Sequence, residues 1–96
     1  IHIHNHSNPN DIKWEDDLDI ILETTGKFKE LDDLNGYNKN KNTKILVSAP
    51  STSLPMYIYG VNHKKYMNET IISGSSCTTT CLAPLVQILH KKLFMF

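Results

Sequence analysis

The run Ser75-Ser76-Cys77-Thr78-Thr79-Thr80-Cys81 holds the residues best suited to chemistry. A thiol in the first turn of a helix lies among backbone N–H groups with no intrahelical acceptor, at the positive end of the helix dipole. Both features favour thiolate over thiol and make such a cysteine nucleophilic near neutral pH. The same N–H groups can hold the oxyanion formed when a thiolate adds to a carbonyl. The hydroxyls of Ser76 and Thr78 can bind phosphate oxygens. Cys81 falls one turn further along, where a packing role is expected, because buried cysteines are usually inert. Pro84 leaves the start of the helix open, since it cannot donate an amide to the Thr80 carbonyl. Either the helix begins at Cys77 and tolerates the proline, or it begins near Pro84 and leaves Cys77 on a loop.

The elements that must position this segment follow from pattern. Ile1-His2-Ile3-His4 alternates as a short half-buried strand does, and Asn8-Pro9-Asn10-Asp11 is turn chemistry, with Asp11 placed to cap a brief helical turn over Ile12 and Trp14. Leu18 to Glu23 is β-rich and halts at Thr24-Thr25-Gly26. Residues 27 to 34 place Phe28, Leu31 and Leu34 at helical spacing. Asn35-Gly36 and the Asn/Lys tract through Thr43 predict a solvated loop. Further strands are expected at Lys44 to Val47, Met56 to Val61 and Ile71 to Ser73. From Cys77 to about Leu93, Leu82, Leu85, Val86, Leu89 and Leu93 share one helical face. Strands separated by helices and loops indicate an α/β unit with a largely parallel sheet. The Gly-rich dinucleotide fingerprint is absent from these residues, so it is expected upstream.

Composition excludes more than it proposes. The 96 residues carry a formal net charge of +0, and all ten basic residues are lysines, so nothing calls for nucleic acid or a membrane surface. No apolar run approaches a membrane span. Two cysteines in one short segment favour a reducing compartment, and an i,i+4 pair is poor geometry for a mutual bridge. His2, His4 and His6 would share one face of a strand, but no carboxylate or cysteine ligand is near, so chance histidines on an exposed edge are preferred over a metal site. His63 and His90 suit surface or capping positions. The chain begins without Met and stops inside an apolar pattern, so an internal piece of a longer polypeptide is expected.

Ser76-Cys77-Thr78-Thr79-Thr80-Cys81-Leu82-Ala83-Pro84 closely resembles S-C-T-T-N-C-L-A-P, the signature of glyceraldehyde-3-phosphate dehydrogenases. Glu23 to Phe28 resembles the family's E-S-T-G-x-F, Ser48 to Ser51 its S-A-P-S, and Gly60 to His63 with Lys65-Tyr66 its G-V-N-H-x-K-Y. These motifs occur in the family's order and cover essentially the whole chain, corresponding to the second quarter to the middle of a subunit. The resemblance implies the second half of a Rossmann-type NAD-binding domain over residues 1–76. Residues 77–96 would be the active-site cysteine helix that opens the catalytic domain.

It also implies roles. Cys77 would attack the aldehyde of glyceraldehyde 3-phosphate to form a hemithioacetal; hydride would pass to NAD, and inorganic phosphate would cleave the resulting thioester. Ser76 and Thr78 would bind substrate or attacking phosphate. Thr25, Gly26 and Ser48 would line the NAD site, and Asn62-His63 would form a structural turn. The full-length enzyme would be a cytoplasmic homotetramer of glycolysis. Departures stand beside these matches. Thr80 replaces an Asn, Thr24 a Ser, and Ser7 an Arg able to contact NAD, while Tyr66 to Ile71 is one residue short. The family's general-base His would lie beyond Phe96, so the 96 residues alone are expected to be inactive. Erythrose-4-phosphate dehydrogenase, a relative sharing the cysteine chemistry, and a non-catalytic remnant are the alternatives.

Overall fold

A computed structural model describes residues 1–37 and 42–94. The expected Asn/Lys loop therefore lies partly outside the described residues. Three strands, β1 (Ile20–Glu23), β2 (Lys44–Val47) and β3 (Ile71–Ser73), form one parallel sheet in the order β1-β2-β3, and a helix, α1 (Cys77–Leu93), follows. The α/β class with a parallel sheet is as expected. No helix among the described residues is long and apolar enough to cross a membrane.

Alternation decides which side chains make the core. Ile21 and Glu23 of β1, Ile45 and Val47 of β2, and Ser73 of β3 are buried on one face of the sheet. The crossover after β1 covers that face with Leu34 and Tyr37, and the loop after β2 adds Leu54. Trp14, Leu18, Phe28, Ala49 and Ile71 pack around them. On the opposite face Ile20 is 60% and Leu22 62% exposed. Parallel strands in α/β proteins are usually continuous apolar runs because both faces are covered. Ile20-Ile21-Leu22 and Ile45-Leu46-Val47 have that character, but among the described residues only one face is covered.

Several local expectations are corrected. Residues 1–8 are exposed and form no strand, because alternation alone cannot make one without a neighbour to pair with. The turn Pro9–Asp11 is a 3₁₀ helix capped by Asn8, whose side chain accepts from the Asn10 amide at 3.0 Å, not by Asp11. Proline's fixed φ suits the first helical position, which puts the cap on Asn8, three residues before Asp11. Residues 27–34 yield only a 3₁₀ turn, Leu31–Leu34. The apolar run Met56 to Val61 contributes one bridge, Met56 to Ser73, and then turns. There Asn62 accepts from the Ile58 amide (2.7 Å) and donates to the Met56 carbonyl (3.0 Å), and Gly60 adopts φ +83°. His63 accepts from the Gly60 amide at 2.9 Å, so the Asn62-His63 pair does build a turn. The loop before β3 is closed by Glu69, which accepts from the Tyr57 hydroxyl (2.5 Å) and the Met67 amide (2.9 Å).

A second carboxylate, Glu30, fastens the crossover to the loop after β2. It accepts from the amides of Thr52 and Ser53 and from the hydroxyls of Ser51, Thr52 and Ser53, the shortest being Ser53 Oγ at 2.6 Å. The Ser53 hydroxyl foremost, with the Thr52 amide, lowers its pKa to about 2 from an ordinary 4.5. A carboxyl lowered on folding contributes stability above its unfolded pKa, and that contribution is lost as pH falls through the folded value. The denaturation midpoint of the chain should therefore drop between about pH 5 and about pH 2. Glu30→Gln should lower the midpoint at neutral pH and flatten that decline, as urea titrations at several pH values would read.

Candidate active site

β3 ends at Ser73, and the next three residues set the start of α1. Ser73 is fully buried, donates its hydroxyl to the Ala49 carbonyl at 2.5 Å and accepts from the Ser75 amide at 3.0 Å. The Gly74 amide donates to the Val47 carbonyl at 2.9 Å, extending the ladder past the strand. Ser75 is buried at φ +72°, a conformation uncommon for a residue with a Cβ. This braced reversal aims the chain into the helix. Nothing in the sequence marks Ser75 for positive φ.

Ser76 is the N-cap. Its hydroxyl accepts from the Thr79 amide at 3.1 Å, and its carbonyl accepts from the Thr80 amide at 2.9 Å. The helix thus begins at Cys77 and runs through Pro84, which resolves the choice that the proline left open. Cys77 occupies the first helical position with its sulfur exposed, 4.0 Å from the Thr78 hydroxyl. Among the described residues the backbone amides of Cys77 and Thr78 have no acceptor. Two free donors therefore stand beside an exposed thiol, an arrangement that can receive a developing oxyanion.

Cys81 does not pack as expected: it is exposed too, and no residue of α1 is buried. The expected apolar face of Leu82, Leu85, Val86, Leu89 and Leu93 lacks a covering layer among the described residues. Part of it borders a groove of about 520 Å³, lined in part by Val61, Thr78, Leu82 and Val86. Gln87 ties the helix to the turn by donating to the Val61 carbonyl at 3.3 Å.

The remaining predicted site residues share one edge of the sheet. Glu23 pairs with Val47, and Val47 with Ser73, so the three strands end level. Thr25 and Gly26 follow β1, Ser48 follows β2, and Ser76 to Thr78 follow β3, all at the carboxyl edge where open α/β sheets bind ligands. Gly26 has φ +73° and open space where a Cβ would stand. Thr25, Gly26 and Ser48 are exposed. Thr25 also borders a groove of about 330 Å³ together with Phe28 and Tyr37. Behind Thr25 lies Glu23, only 3% exposed, a residue that sequence reasoning passed over. The available signal was a charged residue two places after Ile21, on the core side of a buried-type strand. His2, His4 and His6 lie in the exposed N-terminal segment, and among the described residues no group of three or more His, Cys, Asp or Glu could hold a metal ion.

The chain is similar to curated proteins along nearly its whole length. It is 42% identical over 94 residues to a glyceraldehyde-3-phosphate dehydrogenase of Phytophthora infestans, covering 96% of this chain and 28% of that protein. With that of Eremothecium gossypii it shares 42% identity over 85 residues, 88% of this chain and 26% of the relative. Glyceraldehyde-3-phosphate dehydrogenase 1 of Kluyveromyces lactis is 44% identical over 75 residues, 78% of this chain and 23% of the relative. No family model matches the chain. The chain spans about a quarter of the length of the curated relatives it matches, and over that span it belongs to the glyceraldehyde-3-phosphate dehydrogenase family.

Proposed function

We propose that these residues supply the nucleophile and part of the cofactor edge of a phosphorylating, NAD-dependent glyceraldehyde-3-phosphate dehydrogenase. One observation carries the reading: Cys77 is exposed at the first position of α1, capped by Ser76, beside two amides that lack acceptors. In this reading Cys77 adds to the aldehyde carbon of glyceraldehyde 3-phosphate, and the amides of Cys77 and Thr78 receive the oxyanion of the hemithioacetal. Ser76 and Thr78 offer hydroxyls to the substrate or to attacking inorganic phosphate. Loss of a hydride from that carbon, for which NAD would be the acceptor, would leave the acyl group on the sulfur as a thioester until phosphate displaces it, giving the acyl phosphate and restoring the thiol.

The carboxyl edge fits a dinucleotide. Thr25 and Gly26 would hold NAD after β1, where the open space at Gly26 lets backbone approach a ligand closely, and Ser48 would hold it after β2. When bound, NAD supplies a hydride acceptor. Residues 1–76 would then belong to the NAD-binding domain and 77–96 would open the catalytic domain. The complete subunit would work in the cytoplasm, in glycolysis, as a homotetramer, as the family resemblance implies.

Three measurements test this reading. Iodoacetamide should modify Cys77 faster than Cys81 at neutral pH, read by peptide mass spectrometry of the complete subunit; equal, slow rates would count against it. Cys77→Ser should cut NADH production by roughly 10⁴-fold or more while Cys81→Ser retains most of it. The 96 residues alone should produce no NADH with glyceraldehyde 3-phosphate, NAD and phosphate.

A further inference from the structure

The buried carboxylate of Glu23 lies on the core side of β1, and among the described residues no cation pairs with it. Such a group is costly to bury unless its lone pairs are filled, and an apolar side chain of similar size would often be no worse for stability. Its lone pairs are filled, from two directions. Oε1 accepts from the Thr25 amide at 2.7 Å and from the Thr25 hydroxyl at 2.5 Å, and Oε2 accepts from the Tyr37 hydroxyl. Tyr37 is 5% exposed, between the rings of Trp14 (5.7 Å) and Phe28 (6.4 Å). Burial, and then its bond to Glu23, push the Tyr37 phenol above the usual range, so it remains a hydrogen-bond donor.

The consequence falls on Thr25. Its single hydroxyl proton is directed inward to Glu23, and its oxygen also accepts from the Lys27 amide at 3.1 Å. Toward the groove, Thr25 can therefore accept a hydrogen bond but has none to give. We propose that Glu23 and Tyr37 are a positioning pair for the dinucleotide site, holding the Thr25-Gly26 turn in one conformation and making the Thr25 hydroxyl an acceptor for a ribose hydroxyl or amino group of the cofactor. This rests on the reading of Thr25 and Gly26 as cofactor-binding. Neither Glu23 nor Tyr37 touches the reacting atoms in this scheme.

The test is steady-state kinetics of the complete subunit with Tyr37→Phe, Glu23→Ala, Glu23→Gln and Thr25→Ala. Tyr37→Phe leaves one lone pair of a buried carboxylate unfilled and should raise the KM for NAD roughly 5- to 10-fold. Glu23→Ala should raise it further. Glu23→Gln keeps an acceptor for Thr25 and can donate its amide to the Tyr37 oxygen, so it should restore most of the affinity. In these variants kcat at saturating NAD and the rate of Cys77 alkylation should change far less than the KM. An unchanged KM for NAD in folded Tyr37→Phe and Glu23→Ala, with a raised KM in Thr25→Ala, would overturn the positioning role and leave the cofactor reading intact. An unchanged KM in Thr25→Ala would overturn both. Parallel losses in kcat, KM and alkylation rate would mean a merely structural pair and would also overturn the proposal. Should Glu23→Ala fail to fold, Tyr37→Phe decides the matter: an unchanged KM for NAD in it overturns the positioning role.

Discussion

Val47 pairs with Glu23 on one side and with Ser73 on the other, and this register brings three strands to an end at one level. Parallel pairing requires each strand to be re-entered from the same end, so the loops leaving the strands collect at a single edge. The ladder does not stop at the strand ends. The Ser48 amide donates to the Glu23 carbonyl and the Gly74 amide to the Val47 carbonyl, both at 2.9 Å. The first residues after β2 and β3 thus inherit the rigidity of the sheet. A one-residue slip of β3 would send Ser73 out of the core and move the start of α1 relative to the other two loops.

Polar groups of the strands and of the crossover then fix what the register brings together. Ser73 secures the reversal into α1, Glu23 the turn at Gly26, and Glu30 the loop that follows Pro50. These groups share a logic. Each is hydrogen-bonded to backbone amides, carbonyls or hydroxyls of a loop; Ser73 and Glu23 convert the position of a strand end into the conformation of the loop that follows, and Glu30 ties a loop to the crossover. A loop side chain held this way can be placed more narrowly than one held by apolar contact, because hydrogen bonds are directional. Core packing is modest by comparison, with Leu34, Ile45 and Val47 at its centre.

Much of the strand and helix pattern was legible in the sequence, because continuous apolar runs and helical spacing are local signals. β2 and β3 begin and end where the pattern put them, and α1 spans Cys77–Leu93. Errors arose where a local pattern needs a distant partner. Ile1 to His4 alternates but has nothing to pair with, and Met56 to Val61 is apolar yet is bent into a turn by the Asn62 side chain. The candidate nucleophile was legible from the residues around it, whereas the start of its helix was not, since Pro84 allowed two answers. The Glu23–Tyr37 bond joins residues 14 positions apart, and no spacing rule signals it. The apolar face of α1 and the outer face of β1 stand open, with Leu85 56% and Leu22 62% exposed. The described residues hold no layer over them, and the chain spans only about a quarter of its relatives' length.

The central claim is that one of two neighbouring cysteines carries the acyl group. The most direct measurement is a trap. The complete subunit is mixed with glyceraldehyde 3-phosphate and NAD in the absence of phosphate, quenched in acid, and mapped by peptide mass spectrometry. The account predicts a phosphoglyceryl mass on the sulfur of Cys77 that disappears when phosphate is added before the quench. The same mass on Cys81, or on neither cysteine while NADH is formed, would contradict it.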